Sequence, residues 1–463
     1  MTTLYERTAR SAQTLKLFGV GAMSLFLLIP LSFIRGLVTE RQNSRDEAVA
    51  EISSTWGGPQ SVVGPVVVIP YRYETQVQRD TEVDGRIVRR SVTEVAVDAA
   101  YFLPAELKVA GSVSPSKLHR GIYDAVVYSG KVSLTGRLPK PDWKALKVDE
   151  KDVLWDEAVV TVAVSDLRGA KGALNVEFGG KSFAMLPGSK LPGYASGAHA
   201  LLGRQAAAEQ TFAMTLDLNG SEGIRFAPLG VRNLVSLKSP WPDPKFSGAF
   251  LPAERRVSKD GFSADWDISY YGRSYPQQST ARSGAQPDAE KVDASLFGVS
   301  FLNPVDAYRN AERATKYGLL FVAMAFSAFF LFEVRSKVAI HPVQYVLVGA
   351  ALTLFFLMLL SLSEFVAFGL AYSAAAAAAT LMVGLYSLKF LGGARRAATL
   401  VGGLGGVYGF LFVVLQLQDY SLLMGSALLT ATLSGLMYFT RDVDWYALDM
   451  PEPPSPLARQ PGA

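Results

Sequence analysis

One long apolar stretch, residues 341–390, constrains the fold of this chain more than any other feature. Between His341 and Lys389 the only formal charge is that of Glu364. About 20 apolar residues suffice for a helix to cross a bilayer, and this stretch is more than twice as long. Because a carboxylate at the bilayer centre costs roughly 2.5–3.5 kcal/mol, we expect the chain to turn at Glu364. The stretch therefore predicts a transmembrane hairpin with arms Val343–Leu362 and Phe365–Leu388.

Five apolar segments in the C-terminal part of the chain and one near the N-terminus predict six transmembrane helices. The N-terminal run, Leu17–Ile34, is longer than the apolar core of a signal peptide and precedes no small-residue cleavage site. We expect an uncleaved helix over residues 17–35 after a cytoplasmic segment 1–16; the alternative is a cleaved signal peptide. The C-terminal bundle is predicted over residues 317–440. Its apolar segments are Tyr317–Phe332, Val343–Leu362, Phe365–Leu388, Thr399–Leu417 and Tyr420–Phe439.

The intervening segment, residues 36–316, has the composition of a soluble domain and the pattern of β-strands. Short runs of alternating apolar and polar residues, such as Phe262–Tyr271, are bounded by Gly, Pro, Asn or Asp. The dipeptides Asp84-Gly85 and Asn219-Gly220 are typical of hairpin turns. We therefore expect a large, mainly antiparallel β domain that is sandwich-like, and the fold class is a membrane protein of α+β type.

The positive charges predict the orientation of the chain in the membrane, because Lys and Arg collect on cytoplasmic loops. With the N-terminus inside, the short outside turns carry only Glu364 and Asp419, and the inside loops carry the basic residues. These residues are Arg335, Lys337, Lys389, Arg395, Arg396 and Arg441. The pattern predicts cytoplasmic termini and a periplasmic domain at residues 36–316. The Pro-rich tail, residues 441–463, is expected to be cytoplasmic and disordered.

The composition excludes several classes of function. The chain has no cysteine, which removes disulfides, thiol catalysis and Fe–S clusters. Its net charge of +4 is mild and dispersed, so we expect no nucleic-acid partner. His119 and His199 lack partners at ligand spacing, and we predict no metal site. Because no catalytic or phosphate-binding motif occurs in a convincing context, we predict a non-enzymatic protein without a cofactor.

Three polar residues in the membrane region are candidates for function: Glu333, His341 and Glu364. Ionisable residues inside membrane segments commonly mark transport pathways. All three lie near predicted helix ends, which favours anchoring at the membrane interface. A transporter would place such charges at mid-membrane or break helices in paired halves. A proton or cation site at Glu364 is the alternative hypothesis.

Two overlapping small-xxx-small pairs mark the segment Thr399–Leu417 as a candidate packing helix. They consist of Gly402, Gly405, Gly406 and Gly409. In lipid, small residues let helix backbones approach closely, which favours a compact bundle. The alternative is that this face meets a second protein or another copy of the chain.

A Pro-rich loop between Trp241 and Phe246 is a candidate contact loop of the periplasmic domain. Exposed aromatic side chains in such a loop could bind a partner. The alternative is a rigid connection whose two aromatic side chains pack on the sheet.

Short motifs along nearly the whole chain carry a family resemblance. They are Gly64-Pro-Val-Val-Val-Ile-Pro70, Arg120-Gly-Ile-Tyr123, Val164-Ser-Asp-Leu-Arg168, Phe246-Ser-Gly-Ala-Phe-Leu-Pro252, Phe329-Phe-Leu-Phe-Glu333 and His341-Pro-Val-Gln-Tyr345. In this order they are similar to the CreD family of bacterial inner-membrane proteins, a group labelled cell-envelope integrity proteins. The resemblance implies an N-terminal helix, a large periplasmic domain, a membrane bundle and an association with envelope stress. It implies no catalytic residue.

The sequence favours an inner-membrane protein that acts through its periplasmic domain as a structural or interaction module. Its expected partners are the lipid bilayer and an envelope protein or cell-wall component. A transporter or flippase-like protein is the alternative from another class, and a membrane-embedded enzyme is the third hypothesis. A polar cavity at mid-membrane would favour transport, whereas a tightly packed bundle with an exposed apolar patch on the β domain would favour the interaction module.

Overall fold

The structure, a computed structural model, describes residues 22, 25–83, 86–301, 307–336, 340–391, 393–417 and 420–441. It divides into two compact units. The helical unit comprises the chain up to Ser44 and from Val305 onward, and the β unit comprises Arg45–Pro304. The predicted segment 1–16, the turn Asp84-Gly85 and the tail beyond residue 441 lie outside the described residues.

The described helices include one for each predicted C-terminal apolar segment. In chain order they are α1 (Leu28–Trp56), α2 (Ala289–Asp293), α3 (Ala307–Lys316), α4 (Gly318–Ser336), α5 (Pro342–Ser363), α6 (Phe368–Phe390), α7 (Ala394–Gln416) and α8 (Ser421–Thr440). Helix α1 continues without interruption from the apolar N-terminal run into the charged stretch after residue 35. Helix α3 lies in the range assigned to the β domain from sequence, but it belongs to the helical unit.

Among the described residues, three helices are long and apolar enough to cross a membrane. They are Pro342–Ser363, Phe368–Lys389 and Ala394–Gln416. The first two form the predicted hairpin, with Glu364 directly after the first helix. Helices α4 and α8 occupy the two remaining C-terminal apolar segments, and the count of six crossings stays a prediction.

An aromatic cluster fills the interior of the helical unit. The rings of Phe355 and Tyr408 lie 4.7 Å apart between centroids, and Phe321 lies 4.7 Å from the same tyrosine. Tyr372 packs on Phe355 at 5.3 Å and donates its hydroxyl hydrogen to the carbonyl of Tyr408 at 2.6 Å. This hydrogen bond satisfies a polar group that would be costly to leave unpaired in an apolar interior.

Within the described residues, the β unit contains two sheets formed by seventeen strands. The first nine strands are β1 (Gln60–Val83), β2 (Arg86–Phe102), β3 (Glu106–Arg120), β4 (Tyr123–Leu138), β5 (Val159–Val164), β6 (Asn175–Phe178), β7 (Lys181–Ala184), β8 (Leu186–Pro187) and β9 (Gly197–Leu201). The remaining strands are β10 (Gln210–Ser221), β11 (Gly223–Phe226), β12 (Arg232–Ser239), β13 (Pro244–Gly248), β14 (Glu254–Ser258), β15 (Gly261–Ser269), β16 (Gln278–Thr280) and β17 (Phe297–Phe301).

The nine-stranded sheet has the order β13-β17-β11-β1-β5-β9-β8, with β2 paired to β1 and β16 paired to β2. The eight-stranded sheet has the order β14-β15-β12-β3-β4-β10-β6-β7. Most pairings are antiparallel, as expected, but β1 pairs with β11 and β3 with β12 in parallel. The sheets are therefore mixed.

Side chains along these strands are alternately buried and exposed, and this alternation explains how the strands build a core. Strand β10 buries every second side chain in one run, namely Phe212, Met214, Leu216 and Leu218. These residues belong to one continuous cluster of buried side chains, to which β5 of the other sheet contributes Val160 and Val162. Both sheets thus share a core, while a sandwich arrangement of the whole unit stays a prediction.

Candidate functional site

Glu364 is the charged residue at the turn of the hairpin. Helix α5 ends at Ser363, and the N–H groups of Phe365 and Val366 both donate to the carbonyl of Leu362. At a rise of 1.5 Å per residue this helix is roughly 33 Å long, close to the thickness of a bilayer core. The carboxylate therefore lies at the end of a helix of spanning length, as the sequence predicts.

Glu364 is nearly buried, and two side chains of other helices contact the same carboxylate oxygen. The Tyr308 hydroxyl donates to Glu364 Oε1 at 3.2 Å, and Arg41 Nε lies 3.7 Å from that atom. The side chain of Glu364 is 10% exposed, whereas that of Arg41 is 49% exposed. We call Arg41, Tyr308 and Glu364 the Glu364 cluster. It joins α1, α3 and the hairpin, and it compensates the charge of a poorly hydrated carboxylate.

Amphipathic helix α3 positions Tyr308 in this cluster. Its buried side chains are Tyr308, Ala311, Ala314 and Thr315, which share one face at helical spacing. On its polar side, Lys316 Nζ lies 2.7 Å from Glu312 Oε1, and this hydrogen bond holds the pKa of Glu312 below its usual value. The sequence-based assignment of residues 36–316 to the β domain did not reveal this helix.

Glu333 and His341 both have hydrogen-bond partners at the other end of α5. Glu333 accepts the N–H of Ile340 at 3.2 Å and the hydroxyl of Tyr345 at 2.8 Å. His341 caps α5, because its Nδ1 accepts the N–H of Val343 at 3.3 Å. Glu333 thus links the end of α4 to Ile340 and to α5, and His341 caps α5. They lie a full helix length from Glu364, so the three predicted polar residues do not form one site.

The glycine face of α7 is open. Gly402, Gly405, Gly406 and Gly409 are exposed, and a Cβ at any of them would meet no atom within 4 Å in the described part of the chain. The opposite face of α7 is buried, at Ala397, Leu400, Leu404, Tyr408, Leu411, Val414 and Leu415. The glycines therefore make no helix contact among the described residues, so this face is open to lipid, to a second protein or to another copy of the chain.

Trp241 and Phe246 pack on the β unit. The ring of Trp241 lies 6.4 Å from that of Phe301, and Phe246 lies 5.6 Å from Phe262 and 6.0 Å from Trp266. All three contacts are edge-on, a favourable arrangement for aromatic rings. This geometry favours the rigid connection over an exposed aromatic contact loop.

A long β-ribbon is a feature whose length the sequence analysis did not predict. Strands β1 and β2 pair without a register shift from Val67/Phe102 to Val83/Arg86. Beyond Tyr71, no further strand pairs with β1, and β2 pairs elsewhere only with β16 at its last three residues, within the described ranges. The paired stretch from Arg72 to Val83 is roughly 40 Å long at 3.4 Å per residue. We call residues 72–83 and 86–97 the ribbon.

The base of the ribbon is fixed by hydrogen bonds. The Tyr71 hydroxyl donates to Asp98 Oδ2 at 2.7 Å, and the N–H of Arg282 donates to the same oxygen at 3.1 Å. The guanidinium of Arg282 stacks 4.0 Å above the ring of Tyr73. Burial, with a smaller contribution from Asp98, raises the pKa of Tyr71 to about 12. The ribbon therefore projects from a rigid base.

The helical unit contains a small apolar cavity, and candidate metal ligands can be checked across the described ranges. The cavity between α4, α7 and α8 has a volume of about 20 Å³, room for about one water molecule, and its lining is apolar. No group of three or more His, Cys, Asp or Glu side chains could hold a metal ion within the described ranges.

Comparison with known proteins decides the family. A sequence model of the family described as "Inner membrane protein CreD" matches residues 12–446. The chain is also 32% identical over 433 residues to the inner membrane protein CreD of Escherichia coli (strain K12), covering 92% of each protein. The chain belongs to the CreD family. The inner membrane is accordingly its location, in agreement with the apolar helices.

One CreD motif identified from sequence, Val164-Ser-Asp-Leu-Arg168, has a structural role. Asp166 Oδ2 accepts the N–H of Gly58 at 3.1 Å, and Arg168 donates to both carboxylate oxygens at 3.0 and 2.9 Å. Gln60 donates to the Asp166 carbonyl at 3.0 Å and accepts its N–H at 3.3 Å. The Arg168 guanidinium holds the pKa of Asp166 below its usual value. In this CreD protein the motif fixes the segment that leads from α1 into β1.

Proposed function

We propose that this CreD-family protein supports the integrity of the cell envelope as a membrane-anchored interaction module. The β unit is the module, a sandwich-like domain in the periplasm. The helical unit is its anchor, with six membrane crossings and both termini in the cytoplasm. The Lys and Arg distribution supports this orientation, because the inverted one would place the basic loops outside.

The observation that carries the proposal is the ribbon, whose edges pair with no strand in the described part of the chain. Natural sheets commonly protect edge strands with proline, bulges or short length, because free N–H and C=O groups recruit other strands. The ribbon has no proline and no register shift between Arg72 and Val97. Two of its valines, Val95 and Val97, are 66% and 59% exposed. Such an edge suits binding by addition of a strand from a partner.

The polar contacts of the helical unit also support the proposal, because they suit an anchor. Glu364, the most plausible titratable group for transport, is hydrogen-bonded to Tyr308 and close to Arg41 at one end of α5. Glu333 is hydrogen-bonded into the connection at the opposite end. These contacts suit residues that fix helix ends, and the small cavity between α4, α7 and α8 is lined by apolar side chains.

Shortening of the ribbon tests the proposal. Removal of residues 76–83 and 86–93 joins Thr75 and Glu94 through Asp84-Gly85 and keeps the register of the base, because Thr75 pairs with Glu94. The protein with this shortened ribbon, otherwise complete, should insert and fold normally. It should fail to restore resistance to envelope stress in a strain that lacks the gene. Glu364→Gln serves as the matched change in the anchor and should restore resistance fully.

The opposite pair of results would contradict the proposal. Full complementation by the shortened ribbon together with a null phenotype of an inserted Glu364→Gln variant would move the function to the membrane unit. Western blotting of membrane fractions controls for expression of both variants.

A further inference from the structure

We propose that the outer edge of β2 is a self-association surface, which pairs antiparallel with the same edge of a second copy of this chain. This inference rests on the proposed function, because it names the partner of the ribbon. A symmetric dimer requires a self-complementary surface. If residue i of one copy contacts residue j of the second, then residue j of the first copy contacts residue i of the second. The edge of β2 meets this requirement in one register.

The backbone of β2 offers a continuous row of hydrogen-bonding groups. The N–H of Leu103, directly after β2, donates outward to the carbonyl of Gln277 at 3.0 Å. In an antiparallel pair, residues alternate between those that bond to one neighbour and those that bond to the other. Because β2 has no bulge against β1, its odd-numbered residues aim their N–H and C=O groups at the outer edge. From residue 87 to 97 this edge pairs with no described strand.

This alternation limits the registers that a two-fold axis allows. Outward-directed residues must pair with outward-directed residues, so the numbers of two paired residues must have an even sum. A register centred on Val92 satisfies this condition, with Val92 opposite its own symmetry mate and Ser91 opposite Thr93 of the partner subunit. The paired stretch covers residues 87–97 of each copy and forms on the order of ten backbone hydrogen bonds.

The charges select that register. With Val92 at the centre, Arg90 lies opposite Glu94 of the partner subunit, and Glu94 lies opposite Arg90 of the partner subunit. A shift by two residues places Arg90 opposite valine or alanine, at Val92 or Ala96. A shift by four residues places either two arginines or two glutamates opposite each other, which is destabilising. At the centre Val92 is 38% exposed in the single chain, so the pairing also buries apolar surface.

Single cysteines test this register in the full-length protein, because the chain has none of its own. A residue opposite its own mate in a non-hydrogen-bonded pair has a Cα separation of about 4.5 Å, within the range of a disulfide. Under mild oxidation in native membranes, Val92→Cys should form a covalent dimer. Ser91→Cys is the adjacent control, since its mate is displaced by two residues and lies roughly 7–8 Å away. Gln76→Cys reports on the opposite edge of the ribbon, at β1. Neither control should cross-link efficiently.

A charge exchange provides the second test. Arg90→Glu in the Val92→Cys background places two glutamates opposite each other at two sites, and the dimer yield should fall roughly tenfold. The double variant Arg90→Glu/Glu94→Arg restores opposite charges across the interface and should restore the yield. The intrachain ion pair of Glu94 with Arg79 is exposed, so its loss should leave folding unchanged.

Two results would overturn the inference. The first is a Val92→Cys variant that is inserted and folded but stays monomeric at every oxidation time. The second is Gln76→Cys cross-linking as efficiently as Val92→Cys, which would assign association to β1. If either occurs while the shortened ribbon still fails to complement, the proposed function stands and its partner is a different molecule.

Discussion

Replacement of Glu364 is the most informative perturbation of the helical unit, because anchoring and transport require different properties of its side chain. As a residue that fixes the end of α5, it needs an oxygen that accepts the hydroxyl of Tyr308. As a proton or cation site, it needs a carboxylate that changes charge. Glu364→Gln retains the acceptor and removes the charge, so it separates the two requirements.

The contacts of Glu364 set the expected magnitude. A hydrogen bond to a charged group contributes about 1.5–3 kcal/mol, and the Tyr308 bond of 3.2 Å belongs at the lower end. The Arg41 pair adds less than about 1 kcal/mol, because Arg41 is half exposed and 3.7 Å away. Glu364→Gln should therefore cost about 1 kcal/mol and Glu364→Ala about 2–3 kcal/mol of unfolding free energy.

Equilibrium unfolding in a mild detergent measures these differences. A cycle with Tyr308→Phe isolates the pairwise term, which should be about 1 kcal/mol for two residues in contact. Glu40→Gln is the matched control, since Glu40 is an exposed residue of α1 and its replacement should change stability by less than about 0.5 kcal/mol. Complementation of the envelope phenotype is measured with the same variants.

A null phenotype of Glu364→Gln at normal insertion and stability would refute the argument, because only a titratable carboxylate would then explain the loss. A cost above about 3 kcal/mol for the same variant would refute the energetic part, since the observed contacts cannot account for it.

The β unit, its Asp166 contacts and the packing of the helical unit can each be perturbed separately. The fragment Arg45–Pro304 forms its own core and should fold alone, with a mainly β circular dichroism spectrum and a cooperative melt. Asp166→Asn should destabilise it by about 1–2 kcal/mol at pH 7. Arg168 lowers the pKa of the Asp166 carboxyl in the folded state. The stability difference between wild type and Asp166→Asn should therefore be fully present above the ordinary Asp pKa of about 4, and should disappear as the pH falls below that value. Denaturation experiments at several pH values measure this difference. In the membrane unit, Gly406→Leu should leave the detergent melting temperature unchanged, whereas Gly349→Leu should lower it strongly, because its side chain would collide with Leu27 and Phe326.

The glycine face of α7 shows that a spacing motif alone does not predict which helices pack together. Small-xxx-small spacing indicates that two backbones could approach, but it does not indicate which helices are adjacent. Gly349 is a tightly enclosed position of this unit, yet small-xxx-small spacing did not mark it. A Cβ there would meet side chains of two other helical segments, so its importance depends on long-range packing that no local pattern contains.

The strands show a similar limit. Alternation and turn dipeptides predicted strands around Asp84-Gly85, yet β1 extends from Gln60 to Val83 and pairs with three different partners along its length. The parallel pair of β3 with β12 joins segments far apart in the chain. Neighbouring residues determine whether a segment is extended, but strand order depends on contacts between distant segments.

The sequence by itself determined that this chain enters a membrane, where its apolar helices lie and which segment forms β-structure. These properties follow from the summed hydrophobicity and the periodicity of neighbouring residues, which are local quantities. Only the tertiary structure decided that Tyr308 and Arg41 meet Glu364, that the glycine face of α7 is open and that the ribbon edge has no described partner strand. These features depend on which distant segments come into contact, and hydrogen bonds and packing distances exist only once that arrangement is formed.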